Sequence, residues 1–243
     1  RDLPTGTAAL PQDFSDTYVA VLDDYGKAVQ QRRKGENLRM GHPLMDDPAC
    51  RAHQEKFAAI ADDHIEDLRA ALRDSSDALH RTVAAYAIAY VSAKKKNLIV
   101  DDLQAAVRDP QDSVRFNAIR SLTAILLLGT REPRLQIPLQ ATWLVEMLNS
   151  LVWSDRRAAA LALVDLTETR DEDTLLLLRS RSGHQLLRMA RWKNLEHALP
   201  PYLLAGRAAG LPETELRTAW SEGQREAMLQ RIETELKPPS KKN

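Results

Sequence analysis

The sequence predicts an all-α protein made of stacked helix pairs, on the strength of three observations. Aromatic residues make up only 5% of the chain and Gly occurs 9 times, a composition that favours helices over sheets. No Pro lies between Ala49 and Asp109 and no Gly between His42 and Leu128, so a long stretch lacks the strongest helix breakers. The third observation is an internal repeat, which is the signature of helical arrays.

The first 60 residues are predicted to contain two helix starts. A helix is expected from Ser15 to Lys34 because Tyr18, Val21, Leu22, Tyr25 and Val29 fall at helical spacing and would form one apolar face. Asp47 followed by Pro48 has the pattern of an N-cap with Pro at the first helical position. A second helix is therefore expected from Pro48 to Arg73, bent near Asp62.

An acidic turn recurs along the middle of the chain. The turn at 74–77 precedes an amphipathic helix, and a similar turn at 109–112 follows 35 residues later. A third copy, with a longer insert, places its turn at Ser154–Asp155. We expect an Asp or Ser in each turn to cap the following helix by accepting hydrogen bonds from its free amides. No single helix pair can bury its own apolar face, so the pairs should stack.

The segment from Asp112 to Leu122 resembles the second helix of a HEAT repeat, whose pattern has Asp, then Val-Arg, then Ala and Leu. Here these positions are Asp112, Val114–Arg115, Ala118 and Leu122. The resemblance covers roughly residues 61–170; in the first repeat His80 stands where the pattern has Arg, and Arg81 follows it. It implies a right-handed α-α superhelix (solenoid) of HEAT-like helix pairs with extra N-terminal and C-terminal helices.

Three regions are expected on this basis. Residues 1–60 should hold an irregular lead-in and helices that pack on the array, and residues 61–210 the repeats. Residues 211–243 should hold a C-terminal capping helix from Pro212 to Leu236 and a disordered tail from 238 to 243. Within the second region, Gly183 is expected to mark a turn and Pro200–Pro201 to separate two helices.

Charge and cysteine content limit the classes of function. The chain carries 34 Lys and Arg against 34 Asp and Glu, without the overall basic excess that is typical of nucleic-acid binding. Cys50 is the only cysteine, so no intramolecular disulfide can form. The sequence contains no apolar run of membrane-spanning length. It begins at Arg1, which predicts an upstream segment; we therefore leave localisation open between the cytoplasm and, if a signal peptide has been removed, the periplasm.

The segment 179–193 is the one local charge imbalance, because it has no acidic residue. Basic side chains interleaved with an aromatic can bind phosphates, and Gly183 at a helix start would add free amides. Alternatively, the segment is a solvated face that pairs with Glu168, Asp171, Glu172 and Asp173. Binding candidates outside this segment are Arg115 and Trp153, which is expected in a turn. The candidates inside it are Arg179, Arg181, His184, Arg188, Arg191, Trp192 and Lys193.

Catalytic and metal motifs are absent from the sequence. His42, Cys50, His53 and His64 lack the paired ligand spacing of a zinc site. The carboxylate pairs Asp62–Asp63 and Asp101–Asp102 are expected near helix starts, and Lys94–Lys96 at a helix C-terminus. The sequence contains no Gly-x-Ser-x-Gly turn and no His-Glu-x-x-His helix. We expect no cofactor and no metal.

Three functions are compatible with these features. The first is a protein-interaction scaffold with an exposed groove along the second helices, near Arg81, Arg115, Arg120 and Arg157; a groove filled by the chain's own terminal helix would count against it. The second is polyanion or nucleic-acid binding through residues 179–193. The third is an enzyme, since two HEAT-like families, alkyl-base DNA glycosylases and bilin lyases, are catalytic. The Trp-Trp-Asp stretch of the glycosylases is absent here.

Overall fold

The fold is almost entirely helical, as predicted. A computed structural model describes residues 3–33 and 35–236. The sheet it contains is a short antiparallel ladder of β1 (Glu36–Asn37) and β2 (Leu44–Met45). The segment 238–243, for which we expected disorder, lies outside the described residues.

The described chain divides between Leu139 and Gln140 into two compact units. The predicted division into 1–60, 61–210 and 211–243 rests on repeat content instead of compactness and stays a prediction, as does the superhelical stacking. In the first unit, α3 contacts α4, α5 contacts α6, and α4 contacts α6, so two helix pairs lie side by side. The helices of this unit are α1 (Gln12–Gln30), α2 (Pro48–Ile60), α3 (Ile65–Asp74), α4 (Ala78–Ala87), α5 (Lys96–Ala106) and α6 (Asp112–Arg131).

The start of α2 is as predicted, and its end is not. Asp47 accepts hydrogen bonds from the amides of Ala49 and Cys50, with Pro48 at the first helical position. The single helix expected as far as Arg73 breaks after Ile60 instead of bending. The reason lies at Asp62, whose carbonyl accepts a hydrogen bond from Lys95 Nζ at 2.8 Å and whose carboxylate accepts one from the amide of Ser92 at 2.7 Å.

Three arginines define the register of the repeat. In each repeat, Nη1 of the arginine donates to the two carbonyls that lie six and five residues before it. The spacing is 34 residues between the first two arginines and 41 between the next two. The first interval is therefore 34 and not 35, and Arg81, not His80, occupies the arginine position of the pattern. The bonds are Arg81 to Ser75 and Ser76, Arg115 to Asp109 and Pro110, and Arg156 to Ser150 and Leu151.

Capping by the acidic turns holds only for the first repeat. Asp77 accepts a hydrogen bond from the amide of Leu79 at 2.7 Å and caps α4. In the second repeat Asp112 already lies inside α6 and pairs with Arg115. In the third repeat the helix begins at Trp153, so Ser154–Asp155 is helical and the prediction of a turn there is wrong. The turn lies at 150–151 instead, because Arg156 Nη1 donates hydrogen bonds to the carbonyls of these two residues.

The second unit contains a helix that runs through a π-helical turn. The turn spans Leu178–Ser182 and joins α9 directly to α10, so Gly183 does not mark a break. Its amide is therefore not part of a free helix N-terminus. The helices of this unit are α7 (Thr142–Met147), α8 (Trp153–Leu166), α9 (Glu172–Leu177), α10 (Gly183–Ala190), α11 (Leu195–Ala208), α12 (Glu213–Ser221) and α13 (Arg225–Leu236).

Pro200 and Pro201 lie inside α11 and do not separate two helices, contrary to the prediction. Asn194 caps the helix by accepting a hydrogen bond from the amide of His197 at 3.2 Å. Both prolines are buried, so packing compensates for the two backbone hydrogen bonds that they cannot donate. The single last helix expected from Pro212 is instead α12 and α13, because the chain turns at Gly223, whose φ is +74°.

Candidate functional site

The chain's own N-terminal segment covers the face of α4 and α6 on which we expected an open groove. The Tyr18 ring of α1 lies 5.1 Å from the Tyr86 ring of α4. Asn117 of α6 donates a hydrogen bond to the Tyr18 hydroxyl at 3.2 Å. Arg120 of α6 pairs with Glu36 of the hairpin. A groove along the whole length of the second helices is therefore not present in this unit.

The arginines expected along that groove are engaged within the fold. Arg81 is 1% exposed and Arg115 is 8% exposed, since both hold the turn of their repeat. Arg120 lies over the Tyr86 ring at 4.8 Å. Arg157, in the second unit, is half-buried. The prediction that these side chains line an exposed surface is wrong for the first three, because each one satisfies buried or partly buried acceptors.

What remains between α1, the hairpin and α6 is an apolar cleft of about 260 Å³, here called the α1–α6 cleft. Leu22, Tyr25 and Phe116 on its rim are 48%, 42% and 48% exposed. The prediction that Leu22, Tyr25 and Val29 face the core is therefore wrong, because α1 buries only the side that carries Tyr18 and Val21. The lining residues are Tyr18, Val21, Leu22, Tyr25, Glu36, Met45, Tyr86, Ser113, Phe116, Asn117 and Arg120.

Arg120 gives this cleft a charged floor. Its Nε donates to both Glu36 carboxylate oxygens at 3.0 Å, while its buried Nη1 has no acceptor in the described part of the chain. Burial by itself lowers the pKa of the guanidinium, but the Glu36 carboxylate, together with Tyr86 and Tyr90, raises that pKa above its usual value. Arg120 is therefore a fixed cation with one unsatisfied donor, and an unsatisfied buried donor costs roughly 1–3 kcal/mol.

A second concave site lies within the second unit, with a volume of about 530 Å³. Its lining holds three guanidinium groups and one indole, and no carboxylate. We call it the arginine pocket. The lining residues are Asn149, Ser150, Leu151, Arg156, Gln185, Arg188, Arg191 and Trp192.

The structure brings three of the predicted binding residues together in the arginine pocket: Arg188, Arg191 and Trp192. Arg179 and Arg181 are turned to other partners, the carbonyl of Glu235 at 3.0 Å and the carboxylate of Glu146 at 2.6 Å. His184 and Lys193 are exposed and lie outside the lining. Arg115 lies in the first unit. Trp153 is 44% exposed at the start of α8, with its ring 6.3 Å from that of Trp192.

Sequence reasoning missed Arg156 as a member of this pocket. Its guanidinium lies 5.9 Å from the centre of the Trp192 ring, and its Nε is buried without an acceptor. The internal repeat is the sequence feature that could have identified Arg156, because in the correct register Arg156 is equivalent to Arg81 and Arg115.

The acidic partners that the structure gives Arg191 lie outside the four residues expected for this segment. Arg191 pairs with Glu226 at 3.2 Å and Glu233 at 3.1 Å, both on α13. Burial lowers the pKa of Arg191, but the hydrogen bonds to Glu233 and Glu226 outweigh it and raise that pKa. Arg188, in contrast, forms no ion pair among the described residues.

Lys96 is a buried cation that the sequence pattern did not reveal. It begins α5 instead of ending a helix, is 1% exposed, and donates hydrogen bonds to the carbonyls of Gly41 (2.7 Å) and Ala89. Burial lowers the pKa of Lys96 to about 7 and, together with the Lys96 charge, that of His42 to about 4. Lys96 ties Gly41 to Ala89, and the His42 ring lies 5.1 Å from the Tyr90 ring. Neither residue lines the α1–α6 cleft or the second concave site.

The other residues considered for metals have structural partners. His53 Nε2 lies 3.4 Å from Asp24, and the Cys50 thiol is buried, which raises its pKa. Asp102 lies within α5, not near its start, and pairs with Arg69 at 2.7 Å. Among residues 3–33 and 35–236, no three His, Cys, Asp or Glu side chains are grouped as metal ligands.

No described helix combines the length and apolar character needed to cross a membrane.

Comparison with known proteins adds one match. Residues 65–164 match the family described as HEAT repeats. This range includes all three repeat arginines and extends over the helices α3 to α8. No curated protein and no solved structure matches the chain.

Proposed function

We propose that this HEAT-repeat protein is an interaction scaffold without catalytic activity, and that it binds a partner protein in the α1–α6 cleft. HEAT repeats are generally protein-interaction scaffolds. The observation that carries the proposal is the exposure of Leu22, Tyr25 and Phe116 on one rim. Aromatic and large apolar side chains gathered in one concave surface are characteristic of sites where partners dock.

The size of the cleft favours the side chain of a partner over a free small molecule. Small-molecule and cofactor sites usually measure about 300–1,000 Å³, and this cleft measures about 260 Å³. A single large apolar side chain of a partner, inserted between Leu22 and Phe116, would bury the exposed rim. Such an anchor residue in a pocket is the usual centre of a protein interface.

Arg120 and Glu36 in the cleft determine which groups of the partner can lie beside the anchor residue. Arg120 Nη1 needs an acceptor, and Glu36 already occupies its Nε. Because this atom is buried, a backbone carbonyl next to the anchor side chain would reach it only after the Arg120 side chain shifts toward the cleft, and it would then supply the acceptor without adding charge. The proposed occupant is therefore an extended peptide segment with one aromatic or long aliphatic residue and no acidic residue beside it, since Glu36 would repel one.

The coverage of α4 and α6 by α1 narrows the proposal. It counts against docking along the full face of the second helices and confines the interface in this unit to the cleft.

The second candidate function, polyanion binding through residues 179–193, is favoured by one observation, the convergence of Arg188, Arg191 and Trp192 in one pocket. A HEAT-like enzyme, of the DNA glycosylase or bilin lyase type, stays the third alternative.

Selection from a random peptide library on immobilised protein tests the scaffold proposal. Phe116→Asp places a charge on the rim, and because Phe116 is half exposed the fold should persist. Leu98→Asp is the matched control, since Leu98 is 51% exposed on α5 and outside the cleft lining. Enriched peptides with a shared large apolar residue that bind wild type and L98D, and lose binding to F116D, support the proposal. Equal binding to F116D, or no enrichment, overturns it.

A further inference from the structure

We propose that the arginine pocket of the second unit binds the phosphate group of an organic phosphate monoester, with the organic part of the ester resting on Trp192. The pocket lies outside the α1–α6 cleft and in the other compact unit. The inference therefore stands whether or not the scaffold proposal holds.

The chain contains its own example of what a repeat arginine binds. Arg81 and Arg156 make the same pair of backbone hydrogen bonds through Nη1. In the first repeat the remaining donors, Nε and Nη2 of Arg81, bind the two carboxylate oxygens of Asp109 at 2.9 and 3.2 Å. In the third repeat Arg156 forms no ion pair with any described residue, and its Nε is buried without an acceptor among them. In the part of the chain that the structure describes, no carboxylate binds Arg156 in the way that Asp109 binds Arg81.

The neighbours of Arg156 in the pocket are suited to the same kind of ligand. Arg188 is exposed and forms no ion pair among the described residues. Arg191 adds a third guanidinium, although Glu226 and Glu233 partly compensate its charge. Gln185 contributes an amide that can donate to an oxygen. Guanidinium groups that converge without a carboxylate in the lining form a site for a planar or tetrahedral oxyanion.

The charge count favours a phosphate monoester over a carboxylate. Within residues 3–33 and 35–236, Arg156 and Arg188 are two cations that form no ion pair. A monoester above its second pKa, near 6, carries close to two negative charges. A carboxylate would neutralise one of them and offer two oxygens instead of three. A phosphodiester, as in a nucleic-acid backbone, also carries a single charge per phosphate.

The remaining wall of the pocket suits an organic group. Trp192 presents its indole beside Arg156, and Leu151 is 98% exposed at the pocket edge. The volume of about 530 Å³ falls within the range of small-molecule sites, about 300–1,000 Å³. Inorganic phosphate alone would leave this apolar wall in contact with water.

Isothermal titration calorimetry at pH 8 and low salt tests the proposal with phenyl phosphate, inorganic phosphate and phenylacetate. We expect phenyl phosphate to bind at least about tenfold more tightly than phenylacetate, since hydrogen bonds to a charged group contribute about that factor. It should also bind more tightly than inorganic phosphate, because only the ester carries an apolar group that covers the wall at Trp192 and Leu151. Arg188→Ala should weaken phenyl phosphate binding about tenfold without loss of fold, because the side chain is exposed and forms no ion pair with a residue that the structure describes. Trp192→Leu should weaken phenyl phosphate binding and leave inorganic phosphate binding unchanged.

Arg179→Ala is the matched control, because it removes the same charge from the same segment at a position outside the pocket. Equal weakening by R179A and R188A, or phenylacetate binding as tightly as phenyl phosphate, would overturn the proposal. Absence of phenyl phosphate binding to the folded protein would also overturn it, as would binding of a single-stranded oligonucleotide without binding of a monoester. A phosphoserine peptide shows whether the bound phosphate monoester belongs to a protein or to a free metabolite. Tighter binding of the peptide than of phenyl phosphate indicates a protein side chain, and weaker binding indicates a free metabolite.

Discussion

Arg81 and Asp109 form a bidentate ion pair that is buried on both sides. Arg81 Nε and Nη2 donate to the two carboxylate oxygens at 2.9 and 3.2 Å, and the side chains are 1% and 0% exposed. Arg81 also bonds to the carbonyls of Ser75 and Ser76. The pair therefore ties the turn before α4 to the turn before α6 and fixes the register between two successive repeats.

Removing one partner of this pair should strongly destabilise the fold. Asp109→Ala leaves a buried guanidinium without its anion, and we expect the free energy of unfolding to fall by about 3–5 kcal/mol. Urea denaturation followed by circular dichroism measures it. Glu215→Ala is the control, because the Arg231–Glu215 pair is half exposed and exposed pairs contribute about 1 kcal/mol or less. Similar losses in the two variants would show that Arg81–Asp109 does not join the repeats.

The stability of the fold should rise with pH above neutrality because of Lys96. Its pKa is about 7 in the folded protein and about 10.4 in an unfolded chain. Below pH 7 both states are protonated, and the full penalty for burying the charge is present. Between pH 7 and 9.5 the unfolded state binds more protons, so the free energy of unfolding increases with pH. Denaturation at intervals across this range measures the slope.

The Lys96→Met variant identifies the source of that slope. It keeps an unbranched side chain of similar length and removes the titrating group, so its stability should change less than that of wild type between pH 7 and 9.5. An equal slope in the two proteins would mean that Lys96 stays protonated at its two carbonyl acceptors.

Two glycine substitutions in helices should have opposite effects. A Cβ on Gly206 of α11 would lie 2.3 Å from Cδ2 of the buried Leu216 side chain on α12. Gly206→Ala should therefore destabilise the protein by about 1–3 kcal/mol through overpacking, despite the better helix propensity of Ala. Gly26→Ala meets nothing within 4 Å and should stabilise α1 by about 0.5–1 kcal/mol. Thermal unfolding compares the two, and stabilisation by both would contradict the close approach of α11 and α12.

Releasing Arg191 from its acidic partners should strengthen oxyanion binding. Glu226→Gln combined with Glu233→Gln removes two negative charges that pair with Arg191 and are absent from the pocket lining. We expect phenyl phosphate to bind about three- to tenfold more tightly, measured by calorimetry at low salt. Glu235→Gln serves as the control, since the contact shown between Glu235 and this segment is made by its backbone carbonyl, which the substitution keeps. Unchanged affinity in the double variant would place Arg191 outside the binding site.

Local patterns predicted the repeat helices well. The Asp, Val-Arg, Ala and Leu positions of α6 lie within eleven residues, and each has a local structural reason. Contacts between distant residues were not predictable in this way. Lys96 is buried because it reaches the carbonyl of Gly41, 55 residues earlier, and no helical periodicity encodes that contact.

The candidate sites were predictable only in part, for the same reason. The absence of acids in 179–193 identified Arg188, Arg191 and Trp192, but not Arg156, which reaches the pocket from α8. The sequence also could not reveal that α1 lies on α4 and α6. That packing turns part of the expected apolar face of α1, namely Leu22 and Tyr25, into the rim of a cleft.

Site-specific photo-crosslinking in the native host tests the scaffold proposal most directly. A photoreactive residue at position 22 lies on the rim of the α1–α6 cleft, and one at position 98 is equally exposed but outside it. Docking in the cleft predicts protein adducts from position 22 that disappear when Phe116→Asp is added, and none of these adducts from position 98. The same adducts from both positions, or adducts at position 22 that persist with Phe116→Asp, would contradict docking in the cleft.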